Sequence, residues 1–242
     1  MSMQIEALVL NSFDYQEYHK IIKVISPTHG LFSVFVGYAN KGKSRYRALV
    51  EPLTKVQLYL RPPLKVDGLY TLLSGEIEDA LYNIKSDFEI TYLALELVDI
   101  LLKSNLDDKE YLYFYRILNE LLTYEILTVA KFIFGMTIFK AKLTLILGIS
   151  PAIDCCVNCG SVSKIITACV TEGGLICEVC YRNTGIWLNP KDIPLYRAFF
   201  KYPLKKLLEL EVSPEEIQEL ENWLNNYLNT YTNIKIKPRL SL

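Results

Sequence analysis

The sequence predicts an α+β multidomain protein: an N-terminal β-barrel, an α-helical domain, and a four-cysteine module inserted among the helices. Three observations predict it. Short period-two runs fill the first 80 or so residues, helical spacing with capping signals follows, and two C-x2-C pairs interrupt the helices.

The strands come first. Val56, Leu58 and Leu60 alternate with Gln57, Tyr59 and Arg61, the signature of a half-buried strand. Gln4–Phe13, Lys20–Ser26, Leu31–Tyr38 and Leu69–Ser74 are the other strand candidates, and Pro27-Thr28-His29-Gly30 is a turn between two of them. Five short strands in this length suit a small closed or partly closed barrel.

After Ser74 the period changes. Ser86-Asp87-Phe88-Glu89 reads as a capping box, in which the serine and the glutamate satisfy each other's backbone donors. Ile90, Leu93, Leu97 and Leu101 then follow at helical spacing. Asp107 with Glu110 starts a second helix. A third runs from about Leu127 to Leu147 and stops at Gly148, with Pro151 beyond. Ser213-Pro214-Glu215-Glu216 opens a last helix, whose buried stripe is expected at Ile217, Leu220, Leu224, Tyr227 and Tyr231. The organisation expected is residues 1–80 as barrel, 81–150 plus 190–242 as helical domain, and 151–189 as the inserted module.

Composition narrows the function. Of 242 residues 51% are hydrophobic and 22% charged, an ordinary globular balance that excludes disorder as the main state. A net charge of −1 means that any nucleic-acid site must be a local patch. His19 and His29 are the only histidines, which removes most zinc hydrolases, and the carboxylate pairs Asp107-Asp108 and Glu215-Glu216 sit at helix starts, where capping explains them. No catalytic constellation stands out, so a non-enzyme is expected. The start around Glu6 lacks the basic region of a signal peptide. The apolar stretch Ile126–Ile149 holds Lys131, Lys140 and Lys142, so it reads as a core helix rather than a membrane span. Six cysteines without a leader point to a reducing, cytoplasmic setting and to metal rather than disulfides.

The cysteines are the most specific signal. Cys156-Val157-Asn158-Cys159 and Cys177-Glu178-Val179-Cys180 are separated by the 17 residues Gly160 to Ile176, within the spacing of a four-thiolate zinc site. Each tight turn aims two sulfurs at one cation, and two turns complete a tetrahedron with Zn–S distances of about 2.3 Å. Gly160 and Gly173-Gly174 suit the turns. Four thiolates leave no place for water, so the zinc expected is structural. Cys155 is an alternative first ligand by spacing. Cys169 lies in a strand-like run and reads as a small buried hydrophobe.

The second signal is charge. No acidic residue lies between Glu17 and Glu51, whereas Lys20, Lys23, Lys41, Lys43, Arg45 and Arg47 do. The run Lys41-Gly42-Lys43-Ser44-Arg45-Tyr46-Arg47 can follow a phosphate backbone, with Tyr38 or Tyr46 offering a face to a base. Gly37 to Ser44 matches the phosphate-loop string G-x-x-x-x-G-K-[ST] formally, but no apolar helix follows Ser44 and Pro52 soon interrupts the chain. A second cationic surface, Arg197, Lys201, Lys205 and Lys206, is the reserve candidate.

The order of these features resembles the RecO family of bacterial recombination mediators. Glu6-Ala7-Leu8-Val9-Leu10 is similar to the family's opening strand. Gly37, Lys41, Lys43-Ser44-Arg45 and Leu49-Val50-Glu51-Pro52-Leu53 resemble its basic segment, though with fewer arginines. Leu147-Gly148-Ile149-Ser150-Pro151-Ala152-Ile153-Asp154, followed by Cys156-Val157-Asn158-Cys159-Gly160, resembles its L-G-x-x-P junction, and Gly173-Gly174-Leu175-Ile176-Cys177 to Cys180 its second knuckle. The resemblance implies an OB-fold barrel and selects Cys156, not Cys155, beside Cys159, Cys177 and Cys180 as zinc ligands. It implies binding and annealing of single- and double-stranded DNA in repair, in a nucleoid-associated setting. It also implies loading of RecA onto strands coated by single-strand-binding protein (SSB), together with RecR. An SSB acidic C-terminal tail would need a cation beside an apolar pocket, for which Lys140 and Lys142, among Phe139, Leu143 and Leu145, are the candidates. A zinc-stapled adaptor that binds only proteins is the alternative reading.

Overall fold

A computed structural model describes residues 2–65, 68–124, 128–187 and 191–236. The elements are β1 (Met3–Tyr15), β2 (His19–Ser26), β3 (Gly30–Val36), β4 (Thr54–Arg61), β5 (Tyr70–Asp79), α1 (Tyr82–Lys85), α2 (Phe88–Lys103), α3 (Asp108–Leu122) and α4 (Val129–Ile146). They continue as β6 (Ile165–Cys169), β7 (Gly174–Cys177), β8 (Ile186–Trp187), α5 (Ile193–Lys201), α6 (Leu204–Leu208) and α7 (Pro214–Tyr231). Two compact units result. One holds residues 1–101 and 105–127, the other 102–104 and 128–242. Contacts thus group α1, most of α2, and α3 with the barrel.

In the first unit the strands close as β1-β2-β3-β5-β4, the order of an OB-type barrel. Neighbours run antiparallel except β3 and β5, which pair in parallel at Val34–Tyr70 and Phe35–Thr71. The barrel interior is filled by alternate residues: Ile5, Ala7 and Val9 of β1, Ile22 and Val24 of β2, Val34 and Val36 of β3, and Val56, Leu58 and Leu60 of β4. A bulge between Val9 and Asn11 shifts the register of β1 against β2. One residue is gained there, so beyond it the odd-numbered residues of β1 change faces. Ser12 then pairs with interior Ile22, and Phe13 pairs with Ile21 outside.

β3 is shorter than its sequence pattern suggests. It ends at Val36, because Tyr38 takes a left-handed backbone (φ 57°) and turns the chain away. α3 carries the expected capping box. Asp107 Oδ1 accepts from the N–H of Glu110, and Glu110 Oε2 accepts from the N–H of Asp107. The box expected at Ser86 is not the one that forms. Asp87 Oδ1 accepts from the N–H groups of Glu89 and Ile90, so Asp87 caps α2. Both residues can cap, and the helix starts one position later than the serine needs.

In the second unit α4 lies at the centre, against α5, α6 and α7. Every residue from Phe134 to Thr144 is buried, as expected of a helix with neighbours on all sides. Thr128 caps it, and Leu127 of the expected start lies outside the described residues. α7 has its capping box at Ser213 and Glu216. Ile217, Leu220, Leu224 and Tyr227 form its buried stripe, but Tyr231 is 40% exposed and uses its hydroxyl to donate to the Val170 carbonyl. The small sheet β7-β6-β8 completes the unit. Asn189, the expected end of the inserted module, lies outside the described residues. Among the described residues no helix is long and apolar enough to cross a membrane.

Candidate metal centre and nucleic-acid interface

The two cysteine knuckles meet because β7 is stitched to the chain that precedes the first of them. Ala152 bridges Gly174 in parallel: its N–H donates to the Gly173 carbonyl, and its carbonyl accepts from Leu175, both at 2.9 Å. Val157 N–H donates to the Leu175 carbonyl, which holds the first knuckle along β7. The second knuckle starts at the end of β7 and closes when Cys180 N–H donates to the Cys177 carbonyl. Gly174 is needed here for closeness rather than for a turn, since a Cβ at that position would lie 2.3 Å from the Ala152 oxygen. Gly160 does serve a turn, with φ at +73°, where Gly160 N–H donates to the Cys156 carbonyl.

Helix α5 clamps the segment leading in. Arg197 donates through Nε to the Ile153 carbonyl and through Nη2 to that of Asp154, at 2.8 and 2.9 Å, while Lys201 pairs with the Asp154 carboxylate at 2.6 Å. Lys206 lies over the Tyr202 ring. Three of the four reserve cations thus have partners inside this unit. Sequence spacing gave no sign of the Arg197 clamp, because the carbonyls it binds carry no side-chain signature.

The sulfurs of Cys156, Cys159, Cys177 and Cys180 all lie within 4.8 Å of one another. Cys159 and Cys177 are 3.6 Å apart. A tetrahedral ion with Zn–S bonds of about 2.3 Å needs sulfurs about 3.8 Å apart, so the quartet has the right size. Its electrostatics ask for a cation. Burial opposes ionisation of Cys156, but the N–H groups of Cys177, Asn158 and Cys159 aim at its sulfur and bring the thiol to about 6. Cys180 is pushed up to about 12, chiefly by its hydrogen bond with Cys159. Four adjacent thiolates repel one another, and a divalent ion removes that conflict. Cys155 is outside the quartet, and Cys169 is buried at the end of β6.

On the barrel the cationic residues form a compact loop between β3 and β4. Its start is pinned to the β1–β2 hairpin. Tyr38 N–H donates to His19 Nδ1, Asn40 N–H to the Tyr18 carbonyl, and Asn40 Nδ2 to Asp14 Oδ1. That amide, together with Lys20, keeps the Asp14 carboxyl below its usual range. Successive turns follow through Lys41, Ser44, Arg47 and Val50, with no helix after Ser44 to make a phosphate loop. Lys41, Lys43, Arg45 and Arg47 are exposed. Gly37, Tyr38 and residues 41–46 line a recess of about 520 Å³. Tyr46 is more constrained than a free stacking ring. Its hydroxyl accepts from Arg45 Nη2 and donates to the Leu73 carbonyl, and the guanidinium lies 4.7 Å from the ring centre.

Lys140 and Lys142 do not form an acceptor for an acidic tail. Lys140 is 0% exposed and ion-paired with Glu221. Lys142 is 6% exposed and donates from Nζ to the Phe200 carbonyl at 2.9 Å. Because α4 is covered on all sides, its lysines turn inward with it, and burial lowers the Lys142 pKa.

A closed five-strand barrel bearing a cationic loop, followed in one chain by a helical unit with four cysteines placed to hold a metal ion, defines a two-part architecture. Residues 1–81 match the family model described as recombination protein O N terminal, and residues 86–240 that of recombination protein O C terminal. The chain is 27% identical to the DNA repair protein RecO of Bacillus pumilus, over 99% of this chain and 93% of that protein. Against RecO of Bacillus cytotoxicus the identity is 28%, over 99% and 96%. Against that of Halalkalibacterium halodurans it is 25%, over 97% and 91%. The chain belongs to the RecO family of DNA repair proteins.

Proposed function

We propose that this protein is a non-enzymatic recombination mediator. In this reading it binds and anneals DNA strands and, with RecR, helps RecA onto single strands coated by SSB. The observation that carries it is the loop on the barrel. Lys41, Lys43 and Arg45 line one recess, with Arg47 exposed in the next turn of the same loop, and the backbone of the segment is tied by its own turns. Cations held on a rigid frame neutralise successive phosphates at low entropic cost. The activity is positioning of strands rather than bond making. The ion held by Cys156, Cys159, Cys177 and Cys180 is zinc, because four thiolates at tetrahedral spacing suit that metal and complete its coordination. It staples the second unit. The acidic tail of SSB docks at a surface other than Lys140 and Lys142, both of which are occupied within the fold.

Binding to single-stranded DNA across a salt series tests the reading. Each phosphate contact contributes a slope of about −0.7 in log K against log salt. Lys43→Ala with Arg45→Ala should weaken binding of all sequences alike and make the slope shallower by about 1 to 1.5. If affinity and slope are unchanged, the DNA site is not this loop.

A further inference from the structure

We propose that the outer face of the barrel beside the loop is a base-stacking platform that makes the protein prefer unpaired over paired DNA. This rests on the DNA-binding reading above and adds a second contact type to it. The face is built by the bulge in β1. Beyond Val9 the strand's odd-numbered residues point outward, so Phe13 and Tyr15 stand 47% and 42% exposed, opposite Ile21 and His19 of β2. Phe35 of β3 pairs with Ile21 and adds a third column. The rings touch in sequence. Tyr15 meets Phe35 edge-on at 6.1 Å, Phe35 meets His19 at 5.2 Å, and His19 meets Tyr38 at 5.0 Å.

Rings of this size are not left in water without use when they form one continuous patch. The occupant follows from what Tyr38 touches. It ends the aromatic row and also lines the recess of Lys41, Lys43 and Arg45, and it is itself 61% exposed. A polymer that crosses from one to the other carries anionic groups and flat apolar faces in alternation, which describes a single nucleic-acid strand. Paired DNA fits poorly. Phe13 and Tyr15 are two residues apart, about 7 Å along the strand. Consecutive bases in a duplex strand rise about 3.4 Å. Neighbouring bases reach both rings only after leaving their stack, which a single strand does far more easily.

The test uses the full chain and three labelled probes of equal length: oligo-dT, an abasic strand with the same phosphates, and a duplex. Wild type should bind oligo-dT about tenfold or more tightly than the abasic strand. Tyr15→Ala with Tyr38→Asn should weaken oligo-dT binding by about tenfold or more and leave the abasic strand, the duplex and the salt slope nearly as they were. Asparagine is chosen because it tolerates the left-handed backbone of residue 38. Should that pair fail to fold, Phe13→Ser gives an independent variant with the same expected selectivity. Equal binding of oligo-dT and abasic strand by wild type overturns the platform and leaves the cationic loop standing, as does a variant that keeps wild-type preference. Failure of wild type to bind any probe overturns the DNA reading itself. A variant that binds DNA normally but loses a protein partner makes the face a protein interface and also overturns the platform.

Discussion

The ammonium of Lys140 lies 2.8 Å from a carboxylate oxygen of Glu221, and both side chains are shut off from water, at 0% and 4% exposure. The pair joins α4 to α7 across 81 residues of sequence.

Removing one member leaves the other charged or forced to change protonation in a dry site. Glu221→Gln should lower unfolding stability by about 3–5 kcal/mol. Lys140→Met with Glu221→Leu should recover most of that loss, since packed apolar groups of similar volume replace such pairs at little cost. Denaturant titration measures both. A single variant as stable as wild type would refute the burial argument.

One zinc per chain should be found in freshly purified reduced protein by elemental analysis. Cys156→Ser should lose it and lower the soluble yield, because metal binding and local folding are coupled. Cys155→Ser should keep it, since Cys155 stands outside the quartet. Protons compete with the ion for sulfur, so acidification should release the metal, and alkaline conditions should hold it. Full metal content in Cys156→Ser would assign the first ligand elsewhere.

Gly174→Ala should damage the metal module more than a surface substitution can. The added methyl meets the Ala152 backbone first, its oxygen at 2.3 Å and its nitrogen at 2.8 Å, and also Val157 Cγ1 at 2.8 Å, and the backbone atoms cannot swing away as a side chain can. The bridge must open or the strand must shift, at about 1–3 kcal/mol for overpacking. Weaker metal retention against a chelator is the expected readout, and Gly42→Ala, which meets nothing within 4 Å, is the control.

Tyr46→Phe keeps the ring but removes the hydroxyl that accepts from Arg45 and donates to the Leu73 carbonyl. Arg45 then loses its anchor without losing its charge. Single-strand affinity should fall by less than tenfold, with the salt slope nearly unchanged, because the number of phosphate contacts stays the same. A fall as large as that of Lys43→Ala with Arg45→Ala would mean that Tyr46 itself carries the contact.

Features that depend on neighbours in sequence were legible without a fold. All five barrel strands lie on expected runs, by alternation in β4, since side chains of a strand face opposite sides whatever packs on them. But β5 runs on past the expected end at Ser74 to Asp79, because it stays paired with β4 there. The Asp107 and Ser213 boxes were legible because a cap bonds only three residues away. The knuckle spacing foretold a quartet of sulfurs for the same reason, each pair being a local turn. The basic run was legible as charge, but its arrangement around one recess was not.

What only the tertiary structure decided are the facings. A one-residue bulge at Val9 and Asn11 moves Phe13 and Tyr15 to the outside, and its position depends on pairing with β2 rather than on β1 alone. Lys140 and Lys142 read as surface cations, yet α4 is surrounded, and the partners that make their burial tolerable, Glu221 and the Phe200 carbonyl, come from α7 and α5. Gly174 read as a turn residue, but Ala152 presses against it from 22 residues away. Local bonding sets which element forms and where it starts. Which of its faces meets water is set by whatever the rest of the chain lays over it, and the free energy of that burial belongs to pairs of residues far apart in sequence.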